Sequence, residues 1–418
     1  MQLMVKTILN FLEKHSHFVY KDIRLAGTLS EPKIEVTIKP RKGSRGLCRC
    51  GKFCPGYDTQ PEREYAHVPI WNIPVSFMYA TRRVSCDDCG IGVEVVPWSD
   101  GKSPTTKSYL WFLSQWAKVM SWQETADRFK TSWHTVYSSV KDAVEWGRIH
   151  MDLSEITAIG VDEIHWKRGK FMTLVYQING SAKRLLWCTE DRTEESLNTF
   201  FDWFGKERSD LIKFACSDMW KPYLNVLKAK ATKAINVLDR FHIAKKMNEA
   251  IDEVRASETK ALMAEGKDVI LRKSRWCLLK RPKNLTTKQE VKLKDLLHCN
   301  LKTIRAYLLK EDFHHFWDYV SKAWAEKFMD TWCKKTMRSK IEPMKDIAKM
   351  LRRHKPLILN WFKAKGQIHL GAVEGLNNRT KVAIRKSYGF KVAEVLKISL
   401  YHKVGELPVP EIAHRYFS

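Results

Sequence analysis

Cysteine is the first residue type whose spacing could do chemistry. Cys48, Cys50, Cys54, Cys86 and Cys89 are clustered, whereas Cys188, Cys216, Cys277, Cys299 and Cys333 are scattered among apolar neighbours. CDDCG at 86–90 is a C-x2-C knuckle, in which two thiolates reach one ion and Gly90 permits the tight turn. Its partner is LCRCGKFCPGYD at 47–58, with three thiols for two places. Cys50 precedes a glycine, as in a knuckle, but position 47 is Leu where C-x2-C would have Cys. A structural zinc is therefore expected on Cys50, Cys86 and Cys89 plus Cys48 or Cys54. A disulfide framework fits poorly, because no secretion signal is read at the amino terminus. The scattered cysteines read as small buried hydrophobes.

Carboxylates are the second set. Asp162 follows the apolar run IGV and Asp218 follows FACS, so each is a charge at the edge of a core. Such a charge is costly unless a cation or donors compensate it. Either one alone would read as a strand-end turn residue. Glu163 adjoins Asp162, but strand alternation sends it to the opposite face, outside a metal site. Glu374, in VEGLNN, starts a helix that continues through Asn377, Asn378, Arg379 and Lys381. Alone it would be a solvated helix residue. Asp239 and His242, in DRFH, begin where a strand ends, and either line the same site or hold the strand end.

Three β-rich runs, ITAIGVDEIHW, FMTLVYQIN and RLLWCTED, are separated by turns at KRGK and GSAK. A helical run (194–207), a buried strand (211–220), a helix (221–230) and another strand (233–242) follow. Three antiparallel strands, then helix, strand, helix and strand, is the element order of a ribonuclease-H-like core, whose sheet centre holds metal-binding acids. From about 245 to 365 the chain is helical and rich in Lys, Trp and Leu, too long for a loop, so it reads as an all-helical insertion. Its Trp276, Trp324, Trp332 and Trp361 are expected mostly in the core, with one or two free to stack on an unpaired base.

Toward the amino terminus, 17–38 looks strand-like, 40–46 reads as a basic linker, and HVPIWNIPVSFMYATRRVSC suggests two strands between the knuckles, a zinc ribbon. SWQE at 121–124 is a capping box opening a short helix. A three-residue KTS segment leads to a second helix, WHTVYSSVKDAVEWG. Two helices around a short turn point to a helix-turn-helix, with His134, Thr135, Tyr137, Ser138 and Lys141 as groove-facing candidates. The usual turn glycine is absent, and Lys130 stands near its place.

Composition bounds the partners. The 418 residues carry 73 Lys+Arg against 47 Asp+Glu, a formal net charge of +26. With 44% hydrophobic and 29% charged residues, the chain can build packed cores, and a largely disordered chain is not expected. No run reaches the ~18 apolar residues of a membrane span, and a cytoplasmic location is expected. Nucleic acid is the leading partner, since each Lys or Arg on a phosphate releases condensed counterions. A membrane surface is second, but no basic amphipathic helix stands apart.

Asp162 within GVDE, Asp218 within SDMW, DRFH at 239–242 and Glu374 within VEGLNN together resemble insertion-sequence transposases of the ISL-three type. CPGYD at 54–58, RRVSCDDCG at 82–90 and VPWS at 96–99 resemble the same family's zinc ribbon, and the likeness runs over roughly 45–405. The resemblance implies that Asp162, Asp218 and Glu374 form the DDE triad of a ribonuclease-H-like domain interrupted by helices, binding Mg2+ or Mn2+. It implies that water cuts the element's ends and that the freed 3′-hydroxyl attacks target DNA, without a covalent protein intermediate. Inverted repeats and target DNA would be the partners, bound by a homodimer or higher oligomer at a bacterial nucleoid. Family members commonly open with C-x2-C, whereas this chain has Cys48-Arg49-Cys50.

The expected organisation is a strand-rich segment and linker (1–46), zinc ribbon (47–99), helix-turn-helix (103–150), core (155–250), insertion (251–365), last core helices with Glu374 (366–405) and a tail (406–418). Two other classes are weighed against the transposase. A DNA-binding regulator descended from one predicts decay at the acids, yet all three are present. A ribonuclease-H-like nuclease would not need both a ribbon and a helix-turn-helix.

Overall fold

The computed structural model describes residues 5–180, 183–266, 270–365, 367–368, 371–387 and 389–411. It is a mixed α/β molecule of two compact units, one formed by Met1–Asp152 with Val382–Ser418, the other by Leu153–Lys381. Among the described residues no helix is long and apolar enough to cross a membrane.

The first unit begins with α1 (Val5–Leu12) and builds a five-stranded sheet from β1 (Phe18–Gly27), β2 (Pro32–Pro40), β5 (Gly56–Ile70), β6 (Ile73–Cys86) and β7 (Gly90–Val93). The short β3 (Gly46–Leu47) and β4 (Phe53–Cys54) pair with each other. Strand order is β1-β2-β6-β5, with β7 on β6, and only β2–β6 is parallel. The alternation legible in HVPIWNIPVSFMYATRRVSC thus lies within a longer hairpin, 15 residues in β5 and 14 in β6. One face buries Tyr20, Val36, Ile38, Tyr65, Phe77 and Tyr79 around Trp98. Rings of Phe18 and Tyr79 meet the indole edge-on at 4.9 and 5.1 Å, a geometry the ring quadrupoles favour.

Helices α2 (Lys107–Val119), α3 (Trp122–Arg128) and α4 (Trp133–Ile149) follow. The capping box at Ser121 is present: its hydroxyl accepts from the Glu124 amide, and Glu124 accepts from the Ser121 amide. Ser132 caps α4 in turn. Lys130 lies in the connection with φ 50°, the left-handed conformation that a glycine adopts without strain. The carboxy-terminal helix α17 (Ala393–Val404) groups with this unit, although the sequence placed 366–405 in the catalytic core. It packs on α4, where the Arg148 guanidinium stands 4.4 Å over the Tyr401 ring. A Cβ on Gly147 would stand 2.7 Å from Leu407, so this close approach requires glycine.

The second unit holds a sheet of order β10-β9-β8-β11-β12, built from β8 (Ala158–Lys167), β9 (Lys170–Gln177), β10 (Arg184–Glu190), β11 (Phe214–Ser217) and β12 (Ile235–Leu238). The first three are antiparallel, and β8, β11 and β12 run parallel. Between β10 and β11 lie α5 (Glu194–Phe204) and α6 (Lys206–Ser209), and between β11 and β12 lies α7 (Lys221–Lys230). α8 (Arg240–Ala264) leaves β12. It opens a helical region comprising α9 (Arg275–Leu279), α10 (Thr287–Leu297), α11 (Lys302–His314), α12 (Lys322–Met337), α13 (Glu342–Arg353), α14 (Lys355–Leu359) and α15 (Trp361–Ala364). That region has its own core, in which Met247, Ile251, Phe313, Trp332, Met344 and Leu351 are buried. Trp332 and Trp361 are core residues, as expected, but Trp276 and Trp324 are exposed. α16 (Ala372–Lys386) starts in this unit, with Val373 occupying the space that a side chain on Gly160 would need.

Candidate active site and thiol cluster

Parallel register brings the acids together. Cys216 of β11 pairs with Gly160 of β8 and with Val237 of β12. Asp162, Asp218 and Asp239 each stand two residues further on, so the three carboxylates share one row and one face, running from the central β8 to the edge strand β12. Asp162 is buried, and burial pushes its pKa up; Asp218 and Asp239 push the same way, while His242 and the Glu163 amide oppose them. Asp162 accepts the Glu163 amide at 2.8 Å, Asp218 accepts the Trp220 amide at 2.9 Å, and Asp239 caps α8 by accepting the Phe241 amide at 2.9 Å. His242 Nδ1 stands 3.4 Å from Asp239. Burial opposes protonation of His242, yet Asp239, Asp162 and Asp218 outweigh it and raise the pKa. His242 is thus the imidazole that stands beside this row of acids.

α16 reaches Asp162 from above the same face. Asn377 donates its amide nitrogen to Asp162, and the Tyr176 hydroxyl donates to the Asn377 carbonyl oxygen at 2.8 Å. Tyr176 also contacts the Thr380 hydroxyl at 3.2 Å, so the amide has one defined orientation. Glu374 is half-buried and one helical turn before Asn377, on the same face of α16. Asn377 and Tyr176 were not singled out from sequence. For Asn377 a signal existed, its i+3 spacing from Glu374; for Tyr176 there was none.

Glu163 pairs in register with Thr173, whereas Asp162 pairs with Leu174, so the alternation holds. Its carboxylate nevertheless feels Asp218: burial first, then Asp218 and Asp162, push its pKa up to about 7. Arg192 stands 3.7 Å from Glu163 and lies between the rings of Phe171 (4.0 Å) and Trp220 (4.8 Å). The Trp220 indole donates to the Arg192 carbonyl at 2.9 Å, which fixes the chain beside Asp218.

In the first unit the thiols of Cys48, Cys50, Cys86 and Cys89 all lie within 4.8 Å of one another. Of the two alternatives left open, Cys48 falls in this group; Cys54 is buried in the same cluster, and its thiol also lies 3.6 Å from the Lys52 carbonyl. Backbone amides of Cys89 and Asp88 hold the Cys86 thiol low, at about 6. At Cys48 the Cys50 amide works downward, but burial and the neighbouring thiols win and push it to about 12. Four converging thiols could hold a metal ion, and sulfur donors in tetrahedral number suit zinc.

The five residues singled out on α4 differ in setting. His134 is exposed, while Thr135, Tyr137, Ser138 and Lys141 are half-buried. Tyr137 stacks on Trp133 at 5.3 Å, and Lys141 lies 3.7 Å from Glu145.

The sheet with its carboxylate row lies inside the stretch that known families match. Residues 159–400 match the DDE transposase family of the ISL3 type, described as transposase, and the chain belongs to that family. Among curated proteins it is similar to the transposase for insertion sequence element IS1001 of Bordetella parapertussis, 28% identical over 353 residues, covering 83% of this chain and 86% of that one. It is also similar to the transposase for insertion sequence element IS1557 of Mycobacterium tuberculosis (strain H37Rv), 24% identical over 392 residues and 87% of each chain.

Proposed function

We propose that the protein binds the terminal inverted repeats of its own insertion sequence, cuts the ends and joins the freed 3′-hydroxyls to target DNA. The observation that carries this reading is the row of Asp162, Asp218 and Asp239, met at Asp162 by the helix that bears Glu374. The sheet order and its crossover helices support a ribonuclease-H-like core, and α3 and α4 support a helix-turn-helix.

Asp162, Asp218 and Glu374 would hold Mg2+ or Mn2+, since hard divalent cations prefer carboxylate oxygens. Bound there, two such ions would activate the attacking oxygen and neutralise charge on the leaving one. The protein's own part is to keep the acids aligned. Asn377 holds Asp162 by one oxygen, the Trp220 amide holds Asp218 while the Trp220 indole is anchored on the Arg192 carbonyl, and Asp239 fixes the start of α8. In the first step a water oxygen bonds to phosphorus, the strand's 3′ oxygen leaves, and the water gives up a proton to solvent or a neighbouring base. In the second, the 3′-hydroxyl bonds to a target phosphorus, a target 3′ oxygen leaves, and the phosphodiester count is unchanged. Asp239 and His242 stand beside this site as accessory groups. Zinc on Cys48, Cys50, Cys86 and Cys89 would be structural.

The test is Asp218→Asn with end-bearing DNA and magnesium. Cleavage should fall to background while binding of the ends and the circular dichroism spectrum stay as in wild type. Cleavage at the wild-type rate would remove Asp218 from the site, and Asp239 would be the next ligand to exchange.

A further inference from the structure

The β5–β6 hairpin turns through two residues, Trp71 and Asn72, flanked by the pair Ile70 and Ile73. Both central residues have positive φ, 51° for Trp71 and 67° for Asn72. Such turns favour Asn-Gly or Gly-Gly, because a bulky side chain is sterically disfavoured in that conformation. A tryptophan therefore sits where the turn would prefer almost any small residue. Trp71 is 87% exposed, so it contributes little to the core. Strain without burial, at the tip of a long ribbon, points to a surface role.

The surroundings say which role. Three residues before Trp71, Val68 packs with Tyr109 and Leu113 of α2 and against Phe129 in the α3–α4 connection. Asn72 lines one cleft together with Lys33, Arg128, Phe129, Lys130 and Thr131. Glu64, also on this cleft, is engaged by Lys33 at 2.8 Å, and Asp127 accepts from Gln123 at 2.8 Å. Arg128 and Lys130 are exposed, which leaves the cleft's rim basic.

We propose that Trp71 is a DNA contact: the hairpin tip enters the minor groove of the duplex beside the site read by α4, with Arg128 and Lys130 on the intervening phosphates. This rests on the end-binding reading above. Aromatic and apolar tips serve as minor-groove wedges, because a planar ring can slide between base steps while flanking cations hold the backbone.

The experiment uses the full-length protein, a labelled terminal-repeat duplex, equilibrium anisotropy and hydroxyl-radical footprinting. Trp71→Ala should weaken binding about tenfold and lose minor-groove protection at one edge of the footprint, with zinc content unchanged. The pair Trp71→Asn with Asn72→Gly, a preferred turn sequence, should raise the melting temperature and still lose that protection. His134→Ala serves as the control for α4. If wild type binds the ends, His134→Ala loses discrimination and Trp71→Ala footprints like wild type, this inference alone falls. If wild type itself does not distinguish terminal repeats from random duplex, the end-binding reading falls, and this inference with it. A Trp71→Ala protein that changes only its sedimentation would make the tip a self-association contact and overturn the DNA assignment.

Discussion

The two five-stranded sheets place their chemistry in opposite ways. In the second unit Asp162 lies within the central strand β8, where burial and the neighbouring Asp218 and Asp239 raise its pKa, and those two follow the ends of β11 and β12. In the first, the thiols and the hairpin tip lie at strand ends, and the sheet's interior is aromatic packing around Trp98. The thiol group is assembled from two short loops whose internal spacing is local. The carboxylate row is assembled from strands that begin at Ala158, Phe214 and Ile235, so only register aligns it. Local assembly tolerates changes elsewhere in the sheet. Register-dependent assembly does not, because a one-residue slip of any of these strands would turn its acid to the other face.

The sharpest way to break this comparison is at the thiols. Cys86→Ser or Cys89→Ser should abolish zinc binding and unfold the region near 47–97, because metal-binding energy is folding energy in such a site. Cys333→Ser, buried in the helical region, should leave about one zinc per chain. Metal analysis of protein prepared without chelators checks all three, and zinc-free wild type would remove the ion from this account.

A smaller effect is expected at Asn377→Ala, which removes the amide that holds Asp162 without removing a carboxylate. By analogy with partners that orient metal ligands, cleavage or metal affinity should drop ~10–100-fold while end binding is unchanged. A magnesium titration of cleavage rate that superimposes on wild type would make Asn377 a packing residue only.

Smaller again is a pH effect in the first unit. His67 is buried, stacked on Phe77 at 4.2 Å, with its Nδ1 3.0 Å from the Thr106 hydroxyl. Burial lowers its pKa from the ordinary 6.5 to about 3. The folded chain therefore keeps the ring neutral where the unfolded chain takes up a proton. Stability is full above 6.5 and is lost as pH falls toward 3, with a slope of up to ~1.4 kcal/mol per pH unit. His67→Gln should flatten the decline of the urea midpoint between about pH 7 and 5. Parallel curves for the two proteins would sink the assignment.

The smallest is Lys130→Gly. Relief of the left-handed conformation should outweigh the added freedom of the unfolded chain, stabilising by about 0.5–1 kcal/mol. Thermal unfolding reads the shift, and a lower melting temperature would show that the Lys130 stem packs to advantage.

Much of this is legible in the amino-acid sequence. The capping box at Ser121 and Glu124, the strands around Asp162 and the helical stretch after 245 follow from local rules: hydrogen bonds within one turn, alternation, and repeats of three and four. The clustered thiols were legible for the same reason. What local rules could not reach was how Cys48 and Cys54 stand to the other thiols, since both are a few residues from Cys50; both are buried, and Cys48 falls in the close group. Nor could they assign α17, whose contacts with α4 join residues some 250 positions apart; the chain's return from Val382 onward to the first unit is a tertiary event.

The amino-acid sequence by itself determined which residues could act, because residue type and apolar flanks specify a buried acid or a thiolate pair wherever they fall. Only the tertiary structure decided which of them meet. Asp239 joins the row of Asp162 and Asp218 through parallel register, and Asn377 reaches Asp162 because Gly160 leaves room for Val373. Both are long-range facts, set by how strands pair and how closely a helix can approach a sheet, and neither has a signature in the residues that precede or follow.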